Sequence, residues 1–187
     1  ANRGKGASPV FMEEMRAHLL KNYVTCDAPS HLYEADDQIS WQGWYRYHNP
    51  SDREYIICGV DKDLNQIPGQ HYDYGNGSYY FVSPHEANLF FFQQLLTGDI
   101  ADGIPGIKGV GPVRAKNALK AGGNPDQWWD IVLDMYTKHY CAMSDDEIAD
   151  MLYERGNKLW IQRYEGQTWY PPIPEIIPFT GSVPLGL

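Results

Sequence analysis

The sequence predicts an α/β chain, and three observations carry that prediction. Tyr55 to Val60 is a short apolar run rich in β-formers, with Asp61 and Asp63 following at its carboxyl end. Gln70 to Tyr74 and Ser78 to Val82 flank the φ-permissive connection Gly75-Asn76-Gly77, the pattern of a β-hairpin. Ser83-Pro84-His85-Glu86 and Ser144-Asp145-Asp146-Glu147 are capping boxes, each opening a segment with helical apolar spacing.

Taken in order, Ser8-Pro9 reads as an N-cap with proline in the first turn. Phe11, Met15 and Leu19 recur every fourth residue, which predicts a core helix up to Asn22. Tyr23-Val24-Thr25 is expected to be a short strand before the loop Asp27-Ala28-Pro29-Ser30. Leu32 to about His48 is expected to be helical, with Asn49-Pro50 as its stop. On that helix Glu34 and Asp37 lie three apart and share a face; Asp36 points elsewhere unless it sits in an irregular first turn. Asp61 and Asp63, as alternate residues at a strand end, are expected to point the same way. The Ser83 helix runs through Phe90, Phe91, Leu95 and Leu96 to Gly98 and delivers Asp99. Asp126 to Tyr140 and the Ser144 helix toward Gly156 complete a helical region. The tail from Pro171, with Pro172, Pro174, Pro178 and Pro184, cannot form regular helix.

Composition narrows the class. With 187 residues, 43% of them hydrophobic, the chain can bury one sizeable core. Its net charge of −9 argues against a nucleic-acid partner, but the distribution outranks the total. From Gly103 to Gly123 there is no Asp or Glu, while Lys108, Arg114, Lys116 and Lys120 fall there. That segregation is the pattern of a phosphate-binding footprint. Three cysteines, Cys26, Cys58 and Cys141, without CxxC spacing point to neither a disulfide framework nor zinc. No apolar run reaches the ~20 residues a membrane span needs, and a cytoplasmic protein is expected. Asp61 to Tyr72 imitates a calcium loop but has Gln66 in place of its glycine and Tyr72 in place of its last glutamate.

The stretch Gly98-Asp99-x-x-Asp102-Gly103-Ile104-Pro105-Gly106-x-x-Gly109-x-Gly111 places two acids before a glycine turn, and Pro112 then opens a basic helix. It resembles the helix-three-turn-helix entry of the structure-specific 5′-nucleases: flap endonucleases, polymerase-associated 5′-nuclease domains and phage-type 5′→3′ exonucleases. Tyr33-Glu34-Ala35-Asp36-Asp37 and Tyr55 to Leu64 resemble two further blocks of that family, in its order. Ala1-Asn2-Arg3-Gly4-Lys5 resembles the end of its basic arch motif, without the Tyr-Lys that precedes it. The family's first strand and two upstream aspartates have no counterpart here.

The resemblance implies a PIN-like core with a mixed, mostly parallel sheet, incomplete on its amino-terminal side. It divides the chain into a nuclease core at 1–97, a helix-three-turn-helix element at 98–123, a helical region at 124–170 and an extended tail at 171–187. It implies that Glu34, Asp36 and Asp37 serve one Mg²⁺ or Mn²⁺ ion and Asp61, Asp63 and Asp99 a second, with Asp102 a seventh candidate. Two carboxylates ~4 Å apart repel by about 4 kcal/mol at an effective dielectric near 20, so such crowding requires cations. All-oxygen donors favour hard ions. Phosphate contacts are expected from Arg3, Lys5, Gly106, Lys108, Gly109, Gly111, Arg114 and Lys116, with K⁺ at the glycine turn. The implied activity is 5′→3′ exonuclease or flap endonuclease action on DNA ends and ss/ds junctions, with an amino-terminal segment or separate chain completing the fold. The rival reading is a DNA-binding subunit, catalytically incomplete without that fragment. A solvated α/β domain with accidental motifs is a third. Trp128-Trp129 is read as packing, and His18, His85 and His139 as surface or core residues.

Overall fold

The computed structural model describes residues 11–22, 33–50 and 55–171. Ser8, Arg3, Lys5, the strand expected at Tyr23 and the proline-rich tail after Pro171 lie outside the described residues. Within them the chain folds as a mixed α/β structure. The helices are α1 (Met12–Asn22), α2 (Ala35–His48), α3 (Pro84–Thr97), α4 (Pro112–Leu119), α5 (Pro125–His139) and α6 (Asp145–Leu159). The strands are β1 (Ile56–Cys58), β2 (Gly69–Asp73), β3 (Ser78–Val82), β4 (Gly98–Asp99) and β5 (Ile104–Pro105). A 3-10 helix, Lys62–Gln66, links β1 to β2.

The sheet runs β1-β2-β3, with β1 parallel to β2 and β2 antiparallel to β3. The predicted hairpin forms with Tyr72 opposite Tyr79 and their rings stacked 4.4 Å apart. Both capping boxes form, Ser83 with Glu86 and Ser144 with Glu147. The α1 expectation fails on burial. Phe11, Met15 and Leu19 are 70%, 61% and 45% exposed, and α1 buries none of its residues. Four-residue spacing says which side chains share a face, not what that face meets. A second correction concerns Asp61 and Asp63. The chain leaves the strand after Cys58, so the two-residue alternation ends before it reaches them; Asp61 instead caps the 3-10 helix, its Oδ1 accepting from the Asp63 amide at 2.9 Å.

α3 spans two apolar clusters. Ala87 belongs to one with Trp44, Ile57, Leu64, Ile67 and Val82; Phe91, Phe92, Leu95 and Leu96 belong to a larger one with Trp128, Val132, Tyr136, Ile148 and Leu152. Trp128 is 1% exposed, so the tryptophan pair starts from packing as expected. The carboxyl end of α3 is tied down group by group. The last carbonyls of a helix lack intrahelical partners. Here Gln94 O accepts from Gly98 N, Leu95 O from the Tyr136 hydroxyl at 2.6 Å, and Leu96 O from Ile107 N at 2.9 Å. Arg155 Nη1 in turn donates to the Tyr136 oxygen at 3.1 Å.

Tyr136 is fully buried. Tyr136→Phe therefore strands the Leu95 carbonyl, and the expected cost is about 1 to 3 kcal/mol of unfolding free energy. Urea denaturation checks it; an unchanged midpoint would contradict this account of the α3 terminus.

Candidate metal and phosphate site

Asp99 ends α3 by entering β4, which pairs with β5 in register Gly98 with Pro105 and Asp99 with Ile104. That tight pairing depends on glycine. Gly98 has φ +68°, and a Cβ on it would lie 2.3 Å from Gly106 N; a Cβ on Gly106 would lie 2.1 Å from the Thr97 carbonyl carbon. Gly106, expected at phosphate, thus has a packing role of its own. Beyond it, Ile107 and Val110 are buried and anchor the turn, while Lys108, Gly109 and Gly111 are exposed. Gly109 has φ +81°, and Gly111 is the N-cap of α4; neither would bring a Cβ near another atom. Arg114 and Lys116 are exposed on α4, with Arg114 Nη1 reaching the Gly109 carbonyl at 3.4 Å. The turn presents open backbone and cationic side chains on one side and apolar anchors on the other.

The acids come together in part. Carboxylate oxygens of Asp63, Asp99 and Asp102 lie within 4.8 Å of one another, so Asp102, the seventh candidate, is in the closest group. Asp99 is 3% exposed, Asp63 is half-buried and Asp102 is exposed. Asp36 is half-buried beside the other acids: burial raises its pKa, and the charges of Asp61, Glu34 and Asp37 raise it further. Asp36 lies in the first turn of α2. Glu34 is the exposed N-cap of α2 and makes no side-chain cap bond. Asp37 is committed on one side, its Oδ1 accepting from the Gln162 amide at 2.8 Å. α2 is held against β1 by the Tyr55 hydroxyl, 3.1 Å from both the Gly43 and Pro68 carbonyls.

Sequence reasoning assigned no role to Lys62, Gln66, Gln94 or Arg163. Lys62 Nζ lies 2.5 Å from Asp99 Oδ2 and 3.8 Å from Asp63 Oδ1. Burial alone would lower its pKa, but the bond to Asp99 and the charges of Asp63, Asp99 and Asp61 outweigh that and raise it. For Asp99, burial pushes upward, while hydrogen bonds from Lys62 and from the Ala101 amide prevail and hold it below its ordinary value. Asp63 goes the other way, to about 6, because burial and its acidic neighbours outweigh Lys62 and the Gln94 amide. Arg163 lies between Trp44 and Trp160, 4.1 and 4.3 Å from their ring centroids, and its Nη2 donates to Asn88 Oδ1. It thereby joins α2 to the segment after α6; burial lowers its pKa to about 9. Gln94 had one legible signal, shared with its neighbour Gln93: the two are the polar residues inside the apolar run Phe90 to Leu96.

The donor set fits a hard divalent cation: three carboxylates converge, with further acids alongside. Among solved structures, the chain is similar to a mutant 5′-exonuclease of bacteriophage T5, at 14% identity and a TM-score of 0.52, covering 80% of this chain and 74% of that one. It is also similar to a bacteriophage T5 flap endonuclease described as a pseudo-enzyme–product complex with DNA and metal ions. There the identity is 16% and the TM-score 0.54, over 77% of this chain and 56% of that one. The chain has the 5′-nuclease fold. Its length matches only about half of the flap endonuclease and three quarters of the exonuclease. No protein-family profile and no curated protein matches the sequence. The three blocks that carry the resemblance to 5′-nucleases are the α2 start, β1 with the start of the 3-10 helix, and the β4–β5 turn; the last two meet at the carboxyl end of α3, through Asp63 with Gln94 and Lys62 with Asp99.

Two outcomes are expected. Gly106→Ala forces backbone apart and costs about 1 to 3 kcal/mol, whereas Gly111→Ala stays within about 0.5 kcal/mol of the parent by urea denaturation. Equal effects would contradict the division between packing and presenting glycines. For Asp63, the folded carboxyl holds its proton up to about 6 against an ordinary 3.8, so the folded state binds more protons in between. Its contribution therefore favours folding at low pH and is lost as pH rises through about 6. In chelator, Asp63→Asn should be more stable than the parent at pH 7.5, and the gap should close by pH 4; a gap that widens on acidification would contradict the sign.

Proposed function

We propose that the chain is the metal-dependent phosphodiesterase part of a 5′→3′ exonuclease or flap endonuclease acting on DNA near 5′ ends or ss/ds junctions. The observation that carries this is the convergence of Asp63, Asp99 and Asp102 beside an exposed glycine turn and a basic helix start. Carboxylates and phosphate repel, so a surface that places both functions side by side gains only if cations lie between them.

In this reading Asp63, Asp99 and Asp102 hold one Mg²⁺ or Mn²⁺ ion, and Glu34, Asp36, Asp61 and the free oxygen of Asp37 serve a second. Bound there, such ions would lower the pKa of an attacking water and offset charge on the leaving oxygen, the chemistry that two-ion phosphodiester hydrolysis requires. The chain's own residues do the rest. Lys62 offsets charge on Asp99. Amides around Gly109 and Gly111 take one phosphate without reading sequence, with Lys108, Arg114 and Lys116 adding counter-charge, and the turn's carbonyls would hold a K⁺ ion. DNA binding should accordingly weaken steeply with salt.

A second feature favours the rival reading, in which an amino-terminal segment or separate chain completes the fold. Ile56, Val60 and Phe81 on and beside the sheet are 51%, 57% and 51% exposed, and α1 is exposed throughout. A sheet with a parallel pair is normally covered on both faces. No described helix is long and apolar enough to cross a membrane, so these exposed residues are not part of a helical span. The chain then binds DNA but cleaves only with that partner.

The test is cleavage of a 5′-labelled flap in Mg²⁺ by the parent chain and by Asp63→Ala, with Arg114→Ala as a binding control. A loss of about 100-fold or more is expected for Asp63→Ala, the scale of removing one electrostatic stabiliser of the transition state. Arg114→Ala should weaken DNA binding and lower the salt slope by about 1. Equal cleavage by parent and Asp63→Ala would sink the metal assignment. Binding without cleavage by either would favour the incomplete subunit.

A further inference from the structure

A chain of buried amides ends on Asp63. Gln66 and Gln94 are 3% and 4% exposed, each on an otherwise apolar face. Gln66 Oε1 accepts from the Ile161 amide at 3.2 Å, and Gln66 Nε2 donates to the Leu159 carbonyl at 2.6 Å and to Gln94 Oε1 at 2.8 Å. Gln94 Nε2 then donates to Asp63 Oδ1 at 2.7 Å. The direction of this chain follows from its backbone ends. An amide N–H can only donate and a carbonyl can only accept, so Ile161 and Leu159 fix which end of Gln66 is oxygen and which is nitrogen. Gln66 must therefore donate to Gln94, Gln94 must present its oxygen to Gln66, and its NH₂ must face Asp63. One oxygen of Asp63 is compelled to accept, and the other is left for a ligand.

We propose that Gln94 is a positioning residue for the metal-binding carboxylate of Asp63, with Gln66 setting its direction from the end of α6. This rests on reading Asp63, Asp99 and Asp102 as ion ligands. Burying two glutamine amides is costly unless each is bonded, and here their bonds run from backbone to acid without a gap. A purely structural pair would be satisfied by the backbone at 159–161; the bond onward to Asp63 is what ties the helical region to the site. Partners that orient ligand carboxylates commonly change metal affinity when removed.

The test measures Mn²⁺ binding by the paramagnetic signal of free Mn²⁺, with thermal midpoints in chelator run beside it. The proteins are the parent, Gln94→Leu, Gln94→Glu, Asp63→Ala and the double variant Gln94→Leu with Asp63→Ala. Gln94→Glu keeps the shape and removes the donor, so it serves where Gln94→Leu folds poorly. Both single variants at Gln94 should bind Mn²⁺ about 10- to 100-fold more weakly. In the Asp63→Ala background, adding Gln94→Leu should change the residual affinity by less than about 2-fold, since the two act through one group. Parent-like Mn²⁺ affinity in either Gln94 variant, or an equal loss with and without Asp63, would overturn the proposal. The underlying site reading fails separately: parent and Asp63→Ala proteins binding Mn²⁺ alike would overturn both.

Discussion

Mutual repulsion among carboxylates is the constraint on which the rest of this structure depends. Asp36, Asp37, Asp61, Asp63, Asp99 and Asp102 come from three separate segments, and in each segment at least one acid meets a hydrogen-bond donor. Asp99 is met by Lys62 and the Ala101 amide, Asp61 by the Asp63 amide, Asp63 by Gln94, and Asp37 by the Gln162 amide. A hydrogen bond to an ionised acceptor is worth more than a neutral one, and at Asp99 the bonds from Lys62 and the Ala101 amide outweigh burial and lower its pKa. At Asp36, burial raises the pKa, and the charges of Asp61, Glu34 and Asp37 raise it further. Asp61 adds to the upward shift at both Asp36 and Asp63.

Those donors are in place because α3 is. Its amino end is fixed by a capping box, its middle joins two apolar clusters, and its carboxyl end is bonded to Tyr136 and Ile107. The helix then has to reverse within one residue to bring Asp99 back toward Lys62. Gly98 with φ +68° permits the reversal, and the bare backbone of Gly106 lets β5 lie against it. The acid cluster and the glycine turn are therefore joined by one short, tightly packed connection.

How much of this was legible in the sequence depended on the range of the signal. Capping boxes, the Gly75-Asn76-Gly77 turn and Pro112 act over three or four residues, and the helices and hairpin they announce are present. The acids were recognisable as three blocks because each block is contiguous. What failed was anything set by a distant contact. Spacing in α1 gave a face without a partner. Alternation was carried past the end of β1, where a capping interaction had already bent the chain. The role of Gln94 is invisible in sequence because its partners are 28 residues upstream through Gln66 and 31 upstream at Asp63. Gln162 and Asp37, 125 residues apart, could not have been paired at all.

The net charge of −9 is unevenly placed. The candidate metal ligands fall at the α2 start, just after β1 and in the β4–β5 turn, and the stretch from Gly103 to Gly123 holds no acid. Between the two regions stands Lys62, with a side chain more than half exposed and its ammonium against Asp99. An ammonium on a flexible stem is a movable point charge rather than a fixed fork. Were a divalent cation held by Asp63, Asp99 and Asp102, it would share Asp99 with this ammonium, and two positive charges at one carboxylate repel. Lys62 stands one residue from both Asp61 and Asp63, so wherever its flexible stem carries the ammonium its charge stays close to the acids on either side.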